Sequence, residues 1–173
     1  LPGFCGGTCP TGGSDSPDGF SGRLEWGYLQ HPNFYLYYPD RPGTWGDGEP
    51  WVYDDGSLVS LDGGTWYTIT HRLVINTLAG GSANGVIEGF LDGRRVSFRE
   101  NVQFRRDGAS YGIEYVLFSV FINDNSNYPY EGIINEVDFD DFVVYRYAEG
   151  RAPVTGNVLS DGTLVLPAEA LGR

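Results

Sequence analysis

Lysine is absent from this chain: all 11 basic residues among its 173 are arginine, against 23 Asp and Glu. A mechanism that needs a lysine base or a lysine Schiff base is therefore excluded. The formal net charge of −12 would repel a polyanion, so we exclude nucleic acid as a partner, whereas neutral glycans and cations are compatible with it. His31 and His71 are the only histidines, too few for a histidine-based metal site.

Long apolar runs are absent as well, so no segment is predicted to span a membrane. The sequence has no Asn-X-Ser/Thr sequon, and N-glycosylation is not expected. It also lacks an initiator Met and a charged-then-apolar leader. We therefore expect Leu1 to begin a mature chain after processing.

Cysteine is scarce: Cys5 and Cys9 stand alone in the segment CGGTC. The glycines between them let the chain turn back far enough for a disulfide that closes a small loop. A metal pair is the alternative, but no other Cys or His lies nearby to complete a zinc site. The sequence favours the disulfide, and with it a secreted protein in an oxidising compartment.

What the chain does contain is typical of short strands and tight turns: 15% aromatic residues, 26 Gly and 10 Pro. Segments of alternating apolar and polar residues recur along it, bounded by turn signals. The predicted strands are Gly22–Tyr28, Phe34–Tyr38, Thr65–Ile75, Val86–Leu91, Arg95–Arg99, Val102–Arg106, Ile113–Ile122 and Val137–Arg146. Asp92-Gly93 is a strong hairpin signal. Since no segment has a sustained helical period, we predict an all-β sandwich.

Two strands carry predictions about their faces. In Thr65–Ile75, alternation directs His71 and its apolar neighbours toward the core and leaves Arg72 outward. In Ile113–Ile122 both faces are largely apolar, which predicts a central strand covered on both sides. Residues 1–20 are rich in Gly, Pro, Ser and Asp and are predicted to form an ordered loop or arm.

The composition changes after Tyr147, so we predict one domain over residues 1–146 and a C-terminal extension over residues 147–173. The extension holds one strand-like run, Thr163–Leu166. It is either an additional edge strand or a segment that pairs with a neighbouring subunit, which would make the protein a homo-oligomer.

Several segments, taken in order over residues 1–146, resemble polysaccharide lyase family 14, the alginate- and glucuronan-lyase-like jelly roll. GFSGRLEW resembles the family's GFSARLMW-type strand, and WYTITHRL followed by INT resembles its WHTITQRV and LNT segments. The matching segments are Leu1–Gly3 with Gly6-Gly7, Asp18–Trp26, Thr65–Arg72 with Ile75–Thr77, Ala83–Gly85, Asp92-Gly93, Val102–Arg105, Phe118–Phe121 and Asp138–Val144. The resemblance implies a jelly-roll sandwich of two antiparallel sheets.

The resemblance also implies an activity, from which this chain departs. The family's lyases use a lysine with tyrosines and an arginine around a uronate, and this chain has no lysine. Where the family has FSTFFGG, this chain has FSVFINDNSN, so that Asn123 and Asp124 replace two glycines. A sister branch of the fold contains fungal lectins, the oyster-mushroom type among them, which bind sugars without cleaving them. The departures favour the lectin branch.

The segment 123–131 is the richest in ligand groups, because its oxygens suit Ca²⁺ and its tyrosine rings suit stacking on a sugar. A metal shared with the acidic cluster at residues 138–141 is a further hypothesis. The alternatives are that these side chains only stabilise turns, or that the cluster is a solvated edge strand. The candidate metal ligands are Asn123, Asp124, Asp138 and Asp140, and the candidate carbohydrate-binding residues are Asn125, Asn127, Tyr128, Tyr130 and Trp45.

A lyase would need a different set of residues, since β-elimination requires charge neutralisation, a base and an acid. His71 would be the base, Arg72 or Arg105 would neutralise the uronate carboxylate, and Tyr111 or Tyr115 would be the acid. For His71, a hydrogen-bonded core position is the alternative interpretation.

From the sequence, then, we predict a secreted, Ca²⁺-assisted lectin-like protein that binds a glycan and is not catalytic. The first alternative is a polysaccharide lyase that cleaves uronate polymers. The second is a structural subunit that assembles through residues 147–173.

Overall fold

The computed structural model describes residues 3–14, 17–26, 31–78, 82–118, 137–146, 154–158 and 164–165. Every regular element in these ranges is a strand, which confirms the all-β prediction. The strands are β1 Gly3–Gly7, β2 Gly19–Trp26, β3 Pro32–Tyr37, β4 Asp47–Pro50, β5 Ile69–Val74, β6 Gly85–Leu91, β7 Arg94–Val102, β8 Tyr115–Leu117, β9 Val143–Arg146, β10 Val154–Val158 and β11 Leu164–Val165. Within these ranges, no helix has the length and apolarity needed to cross a membrane.

Strands β1–β8 form two antiparallel sheets: a five-stranded sheet in the order β4-β3-β2-β1-β8 and a three-stranded sheet in the order β5-β6-β7. Apolar side chains from both sheets share one core, in which the buried members include Phe20, Leu24, Phe34, Trp51, Ile87, Val96 and Phe104. Burial of these inner faces is the main stabilising contribution to such a fold. The predicted jelly-roll sandwich of two antiparallel sheets is confirmed.

The chain divides into two compact units, residues 1–123 and 124–173. The second unit contains a three-stranded antiparallel sheet in the order β11-β10-β9, with β11 at one edge. The segment Thr163–Leu166, singled out in the sequence, contains β11. The boundary after residue 146 stays a prediction.

Strand β1 contradicts the prediction that residues 1–20 form a loop or arm. It lies inside the five-stranded sheet, paired with β2 on one side and β8 on the other. Its glycines have a packing role: a Cβ on Gly6 would lie 1.9 Å from the carbonyl oxygen of Gly112. Cys5 in this strand forms a disulfide with Cys9, with an S–S distance of 2.03 Å.

The Asp92-Gly93 turn joins β6 to β7 and confirms the predicted hairpin, with Leu91 paired to Arg94. Both turn residues have positive φ, 50° and 80°, as a two-residue type I′ hairpin turn requires. Beyond it the prediction was wrong, because one strand, Arg94–Val102, replaces the predicted pair of strands. Residues 103–106 leave the sheet; there Arg105 donates to the backbone of Asn76 and Tyr111.

The predicted faces hold for β5. In β5, Ile69, His71 and Leu73 are half-buried while Thr70 and Arg72 are exposed. Strand β8 is the last strand of its sheet as far as the structure describes it, and Tyr115 is 57% exposed. Residues 119–122 of the predicted strand Ile113–Ile122 lie outside the described residues, so its position as a central strand stays a prediction. In the second unit, only Val143–Arg146 of the predicted strand Val137–Arg146 is a strand.

A polar contact links the two sheets at one edge of the core. The Tyr38 hydroxyl donates to Asp47 at 2.6 Å and accepts from Arg99 at 2.7 Å, and Arg99 also pairs with Asp47 at 2.6 Å. Burial, followed by the hydrogen bond to Asp47, raises the pKa of Tyr38 to about 12. Since Asp47 lies on β4 and Arg99 on β7, the cluster joins the sheets while keeping each polar atom paired.

Candidate functional site

The outer face of the β5-β6-β7 sheet carries two exposed arginines, Arg72 and Arg95. Strand pairing places Arg72 of β5 beside Glu88 of β6, and Glu88 beside Phe98 of β7. Arg95 is paired with Phe90, so it lies on the same face one step along the strands. We call Arg72, Glu88, Arg95 and Phe98 the arginine face.

Glu88 holds both arginines of this face. Its carboxylate pairs with Arg72 through Oε2 and with Arg95 through Oε1, the latter at 3.3 Å. The Glu88 side chain is only 9% exposed, whereas those of Arg72 and Arg95 are each 55% exposed. One buried carboxylate thus orients two guanidinium groups, leaving a net positive charge and free N–H donors on the solvent side.

Phe98 extends the face with an aromatic surface. The Arg95 guanidinium lies 4.7 Å from the centre of the Phe98 ring, and Phe98 is 44% exposed. Both residues line a groove of about 230 Å³ along the edge of β7, together with Pro50, Tyr53 and the carboxylates Glu49 and Asp54. The guanidinium groups can donate charge-assisted hydrogen bonds to a carboxylate, and the apolar ring beside them can pack against C–H groups. A uronate sugar presents both a carboxylate and a C–H face.

Histidine, tyrosine and lysine are missing from the outward residues of these three strands. By register, the outward side chains of the three strands include Thr70, Val74, Val86, Phe90 and Glu100, besides the arginine face itself. None of these is a histidine, tyrosine or lysine, and the Glu88 carboxylate is engaged by two arginines. The face can neutralise a carboxylate; apart from Glu88, its one carboxyl group among the described residues is that of Glu100, and Tyr53 lines the adjoining groove.

His71 points the opposite way from Arg72, into the core. Its ring contacts Phe4 and Phe34, with centroid distances of 4.9 and 4.5 Å. Both ring nitrogens are buried and have no hydrogen-bond partner among the described residues. Burial lowers the pKa of His71 to about 3, so the imidazole is neutral at ordinary pH. It is a core histidine, although without the hydrogen bonds that this interpretation assumed, and it cannot reach a sugar bound near Arg72.

Arg105 and Tyr111 hold the chain rather than face a ligand. Arg105 donates to the carbonyl oxygens of Asn76 and Tyr111, at 2.9 and 3.1 Å. Tyr111 is 8% exposed and packs near Phe20, and burial raises its pKa. Neither side chain is placed to act on a substrate.

Tyr115 lies on the outer face of the other sheet. It is paired with Cys5, whose neighbour Phe4 faces the core. The core therefore separates Tyr115 from Arg72. The structure does not bring the five predicted lyase residues together: Arg72 faces outward from β5 and His71 inward, Arg105 and Tyr111 lie outside the strands, and Tyr115 lies on the outer face of the other sheet.

Among the predicted sugar and metal ligands, Asn123, Asp124, Asn125, Asn127, Tyr128 and Tyr130 lie outside the described residues. Asp138 and Asp140 are described: both are exposed, and they precede β9 rather than lie within a strand. No group of three His, Cys, Asp or Glu side chains that could hold a metal occurs in the described ranges. Trp45 is 65% exposed, with its ring against Gly13.

Sequence reasoning missed Glu88, Arg95 and Phe98. One signal was present in the sequence. Glu88 is a lone acid inside the apolar run of β6, and a buried carboxylate needs a cationic or hydrogen-bonding partner. Arg95 could not be identified as a partner from the sequence, because the pairing of β6 with β7 shifts between Gly89 and Phe90 at a β-bulge.

The model of the polysaccharide lyase 14 family matches residues 1–128. The chain belongs to polysaccharide lyase family 14. That match covers both sheets of the first unit, and therefore the arginine face. A search of curated proteins finds no match to this family 14 chain.

Solved structures of alginate lyases are similar to this family 14 protein. The alginate lyase Aly36B is 22% identical, with 70% of this chain and 52% of that chain covered and a TM-score of 0.48. The alginate lyase vAL-1 from Chlorella virus is 20% identical, with 62% of this chain and 48% of that chain covered and a TM-score of 0.49. The chain spans about half the length of these structures.

Proposed function

We propose that this protein binds an acidic polysaccharide through the arginine face and does not cleave it. Membership of a polysaccharide lyase family supports a uronate polymer as the ligand class. The observation that carries the proposal is the pair of exposed arginines, Arg72 and Arg95, oriented by one buried carboxylate. Each guanidinium donates to a uronate carboxylate, and the Phe98 ring packs against the apolar side of a sugar.

Elimination would need more than this face supplies. Besides neutralising the carboxylate, a lyase must remove the C5 proton and protonate the leaving oxygen. The outward residues of β5–β7 include no histidine, tyrosine or lysine, and His71 is buried on the other side of the sheet. Binding without turnover is therefore the function that we propose, in keeping with the lectin interpretation of the sequence.

The proposal retains two expectations from the sequence. A Ca²⁺ ion at the candidate metal ligands Asn123, Asp124, Asp138 and Asp140 would assist binding, and the protein would be secreted. The Cys5–Cys9 disulfide supports an oxidising compartment. Assembly through residues 147–173 stays a prediction.

The first experiment is calorimetric titration with oligomers of mannuronate, guluronate and glucuronate. In parallel, the ultraviolet absorbance of an unsaturated product is followed at high protein concentration. We expect saturable binding of at least one oligomer and no product. An unsaturated product formed by wild-type protein would contradict the proposal and establish the lyase alternative.

Substitutions then test the face itself. Arg72→Ala and Arg95→Ala each remove charge-assisted hydrogen bonds to the ligand, and we expect each to weaken binding about tenfold. Arg106→Ala is the matched control, because it removes the same charge from a side chain that is 49% exposed and paired with Asp40. Equal losses in all three variants would mean that net charge, rather than this face, governs binding.

Titration in excess EDTA tests the calcium expectation separately. If Ca²⁺ assists binding, the metal chelator weakens the affinity of the wild-type protein and lowers its thermal midpoint. If both quantities are unchanged, the calcium site is wrong, while the arginine face stays intact as a proposal.

A further inference from the structure

A short loop lies over the outer face of the five-stranded sheet. Residues 9–14, which we call the strap, follow β1 and make hydrogen bonds to side chains of β2 and β3. Beneath the strap, Cys5, Ser21 and Tyr37 form one row of directly paired residues across β1, β2 and β3. Phe20, the neighbour of Ser21, belongs to the core, so the row faces away from the core. All three residues are nevertheless 0% exposed, which means that something covers them from outside.

Hydrogen bonds at the start of the strap show that it supplies this cover. The Pro10 carbonyl oxygen accepts from the Ser21 hydroxyl at 2.7 Å and from Arg23 Nη2 at 2.8 Å. Arg23 Nη1 donates to the Thr11 hydroxyl at 2.9 Å. Arg23 lies on β2, two residues from Ser21, and therefore on the same face of the sheet. While the strap is closed, its own acceptors occupy these donors.

The far end of the strap is held over Tyr37. The Gly13 N–H donates to the Tyr37 hydroxyl at 2.8 Å, and the Trp45 ring lies against Gly13. Arg41 donates to the Ser14 carbonyl oxygen at 2.8 Å, and its guanidinium lies 4.5 Å from the centre of the Tyr37 ring. The strap therefore closes over the sheet along its whole length.

The closed conformation has a cost in backbone freedom, which the Cys5–Cys9 disulfide offsets. Cys9 has a φ of 46°, in the left-handed region that residues other than glycine rarely adopt. Gly12 and Gly13 also have positive φ, and glycine loses more conformational freedom on ordering than any other residue. The disulfide keeps Cys9 beside Cys5 in the sheet, so cutting it favours an open strap.

We propose that the strap is a redox-controlled cover, closed while Cys5 and Cys9 are joined and open once they are reduced. The reductant is a dithiol. One of its thiolates attacks the sulfur of Cys9, the more exposed of the two cysteines, and Cys5 leaves and is protonated. The second thiol of the reductant then displaces Cys9 from the mixed disulfide. The reductant leaves as a disulfide, and its two electrons and two protons are found on the two cysteine thiols.

Opening of the strap exposes Arg23 and the row that contains Ser21 and Tyr37. The inference goes beyond the proposed function and does not depend on it, because the arginine face lies on the other sheet and contains no cysteine. In an oxidising compartment the disulfide persists and the strap stays closed.

Amide hydrogen exchange of the labelled full chain, with and without dithiothreitol, tests the proposal. The reporter is the Gly13 amide, which donates to the Tyr37 hydroxyl in the closed strap. We expect reduction to speed its exchange about tenfold or more, because an open strap leaves this amide in water. The reference amides are those of Val52 and Val59, which donate to backbone carbonyl oxygens at 2.7 and 2.9 Å and should exchange at unchanged rates.

Two results of this experiment would overturn the proposal. An unchanged Gly13 exchange rate in the reduced protein would show that the strap stays closed without the disulfide. Faster exchange at Val52 and Val59 as well as Gly13 would show that reduction loosens the whole fold rather than the strap.

A second measurement needs no reductant. The double variant Cys5→Ser with Cys9→Ser removes the crosslink, and phenylglyoxal labelling with mass spectrometry reports the reactivity of Arg23. We expect Arg23 to react about tenfold faster in this variant than in wild type. Arg72 and Arg95, each with a side chain that is 55% exposed, should react equally in both proteins and serve as internal references. Equal labelling of Arg23 in both proteins would contradict the proposal; if the variant does not fold, the exchange experiment on the wild-type chain decides.

Ser14→Ala is the matched control for the disulfide. It removes the hydrogen bond of 2.9 Å from the Thr11 N–H to the Ser14 hydroxyl within the strap, and it leaves the disulfide in place. We expect the Gly13 amide to stay protected in this variant. If Gly13 exchanges as fast in Ser14→Ala as in reduced wild type, hydrogen bonds rather than the disulfide keep the strap closed, and the proposal is wrong.

Discussion

At the residue scale, His71 is a titratable group that the fold keeps neutral. Its pKa falls from 6.5 to about 3 because its ring is buried. In acid, His71 therefore binds a proton in the unfolded chain but not in the folded chain. The free energy of unfolding decreases as the pH falls below about 6.5. The expected slope from this one residue is about 1.4 kcal/mol per pH unit, continuing down to a pH of about 3.

Urea unfolding of wild type and His71→Leu at a series of pH values measures this contribution. Leucine has no proton to gain, so the advantage of the variant in free energy of unfolding grows as the solution is acidified. The carboxylates contribute equally to both curves and cancel in the difference. Curves that stay parallel between pH 7 and 4 would show that the imidazole is not excluded from protonation in the fold.

Single residues also show how much of the candidate site could be predicted from the sequence. Alternation along β5 correctly directed Arg72 outward and His71 inward. That same alternation keeps His71 apart from Arg72, because adjacent residues of a strand face opposite sides. Glu88 was the decisive residue, but its link to Arg95 depends on a bulge that no composition rule predicts.

At the element scale, strands with alternating side chains were predicted and strands without them were missed. β2, β3, β5 and β6 follow the period of two residues, and the sequence located them. β1 is mostly glycine, and β4 has the sequence DGEP, so neither has an apolar face to detect. Their neighbours in the sheet determine how these strands pair. β1 packs between two strands because most of its residues are glycines without side chains, and β4 tolerates a proline because it is an edge strand.

Gly6 tests that account of β1. Alanine at this position would place its Cβ against the Gly112 carbonyl oxygen and close to the Phe20 ring. We expect Gly6→Ala to cost about 3 kcal/mol, as overpacking in a core does. Gly48→Ala, in β4, is the matched control, because nothing lies within 4 Å of its added Cβ. Chemical denaturation of both variants decides the point; similar stabilities for the two variants would refute it.

The Tyr38–Asp47–Arg99 cluster makes a second prediction at this scale, because it joins elements of different sheets. Tyr38→Phe removes one hydroxyl that both donates to Asp47 and accepts from Arg99, and leaves those groups poorly satisfied. We expect a loss of about 2 kcal/mol in the free energy of unfolding.

The control for Tyr38→Phe is Tyr111→Phe, which removes another buried tyrosine hydroxyl. That hydroxyl makes a long bond of 3.4 Å to the Phe104 carbonyl oxygen, so its loss should cost less. Thermal and urea unfolding of the two variants give the comparison. A larger cost for Tyr111→Phe would mean that the inter-sheet cluster contributes little.

At the scale of the whole molecule, the chain combines a net charge of −12 with a local arginine pair on one sheet. These two features act over different distances. Repulsion between the protein and an acidic polysaccharide extends over about 30 Å at 0.01 M salt but only about 8 Å at 0.15 M. Contacts between guanidinium and carboxylate groups are formed at close range, where salt screens them less.

The association rate of an oligouronate should therefore rise between 0.01 M and 0.15 M salt, the reverse of the usual behaviour of a basic binding groove. Stopped-flow mixing or surface plasmon resonance measures the rate directly. A rate that falls steadily with added salt would contradict this prediction. It would mean that the arginine face attracts the ligand from a distance as well as binding it. The acidic remainder of the molecule would then lie too far from the path of the ligand to repel it.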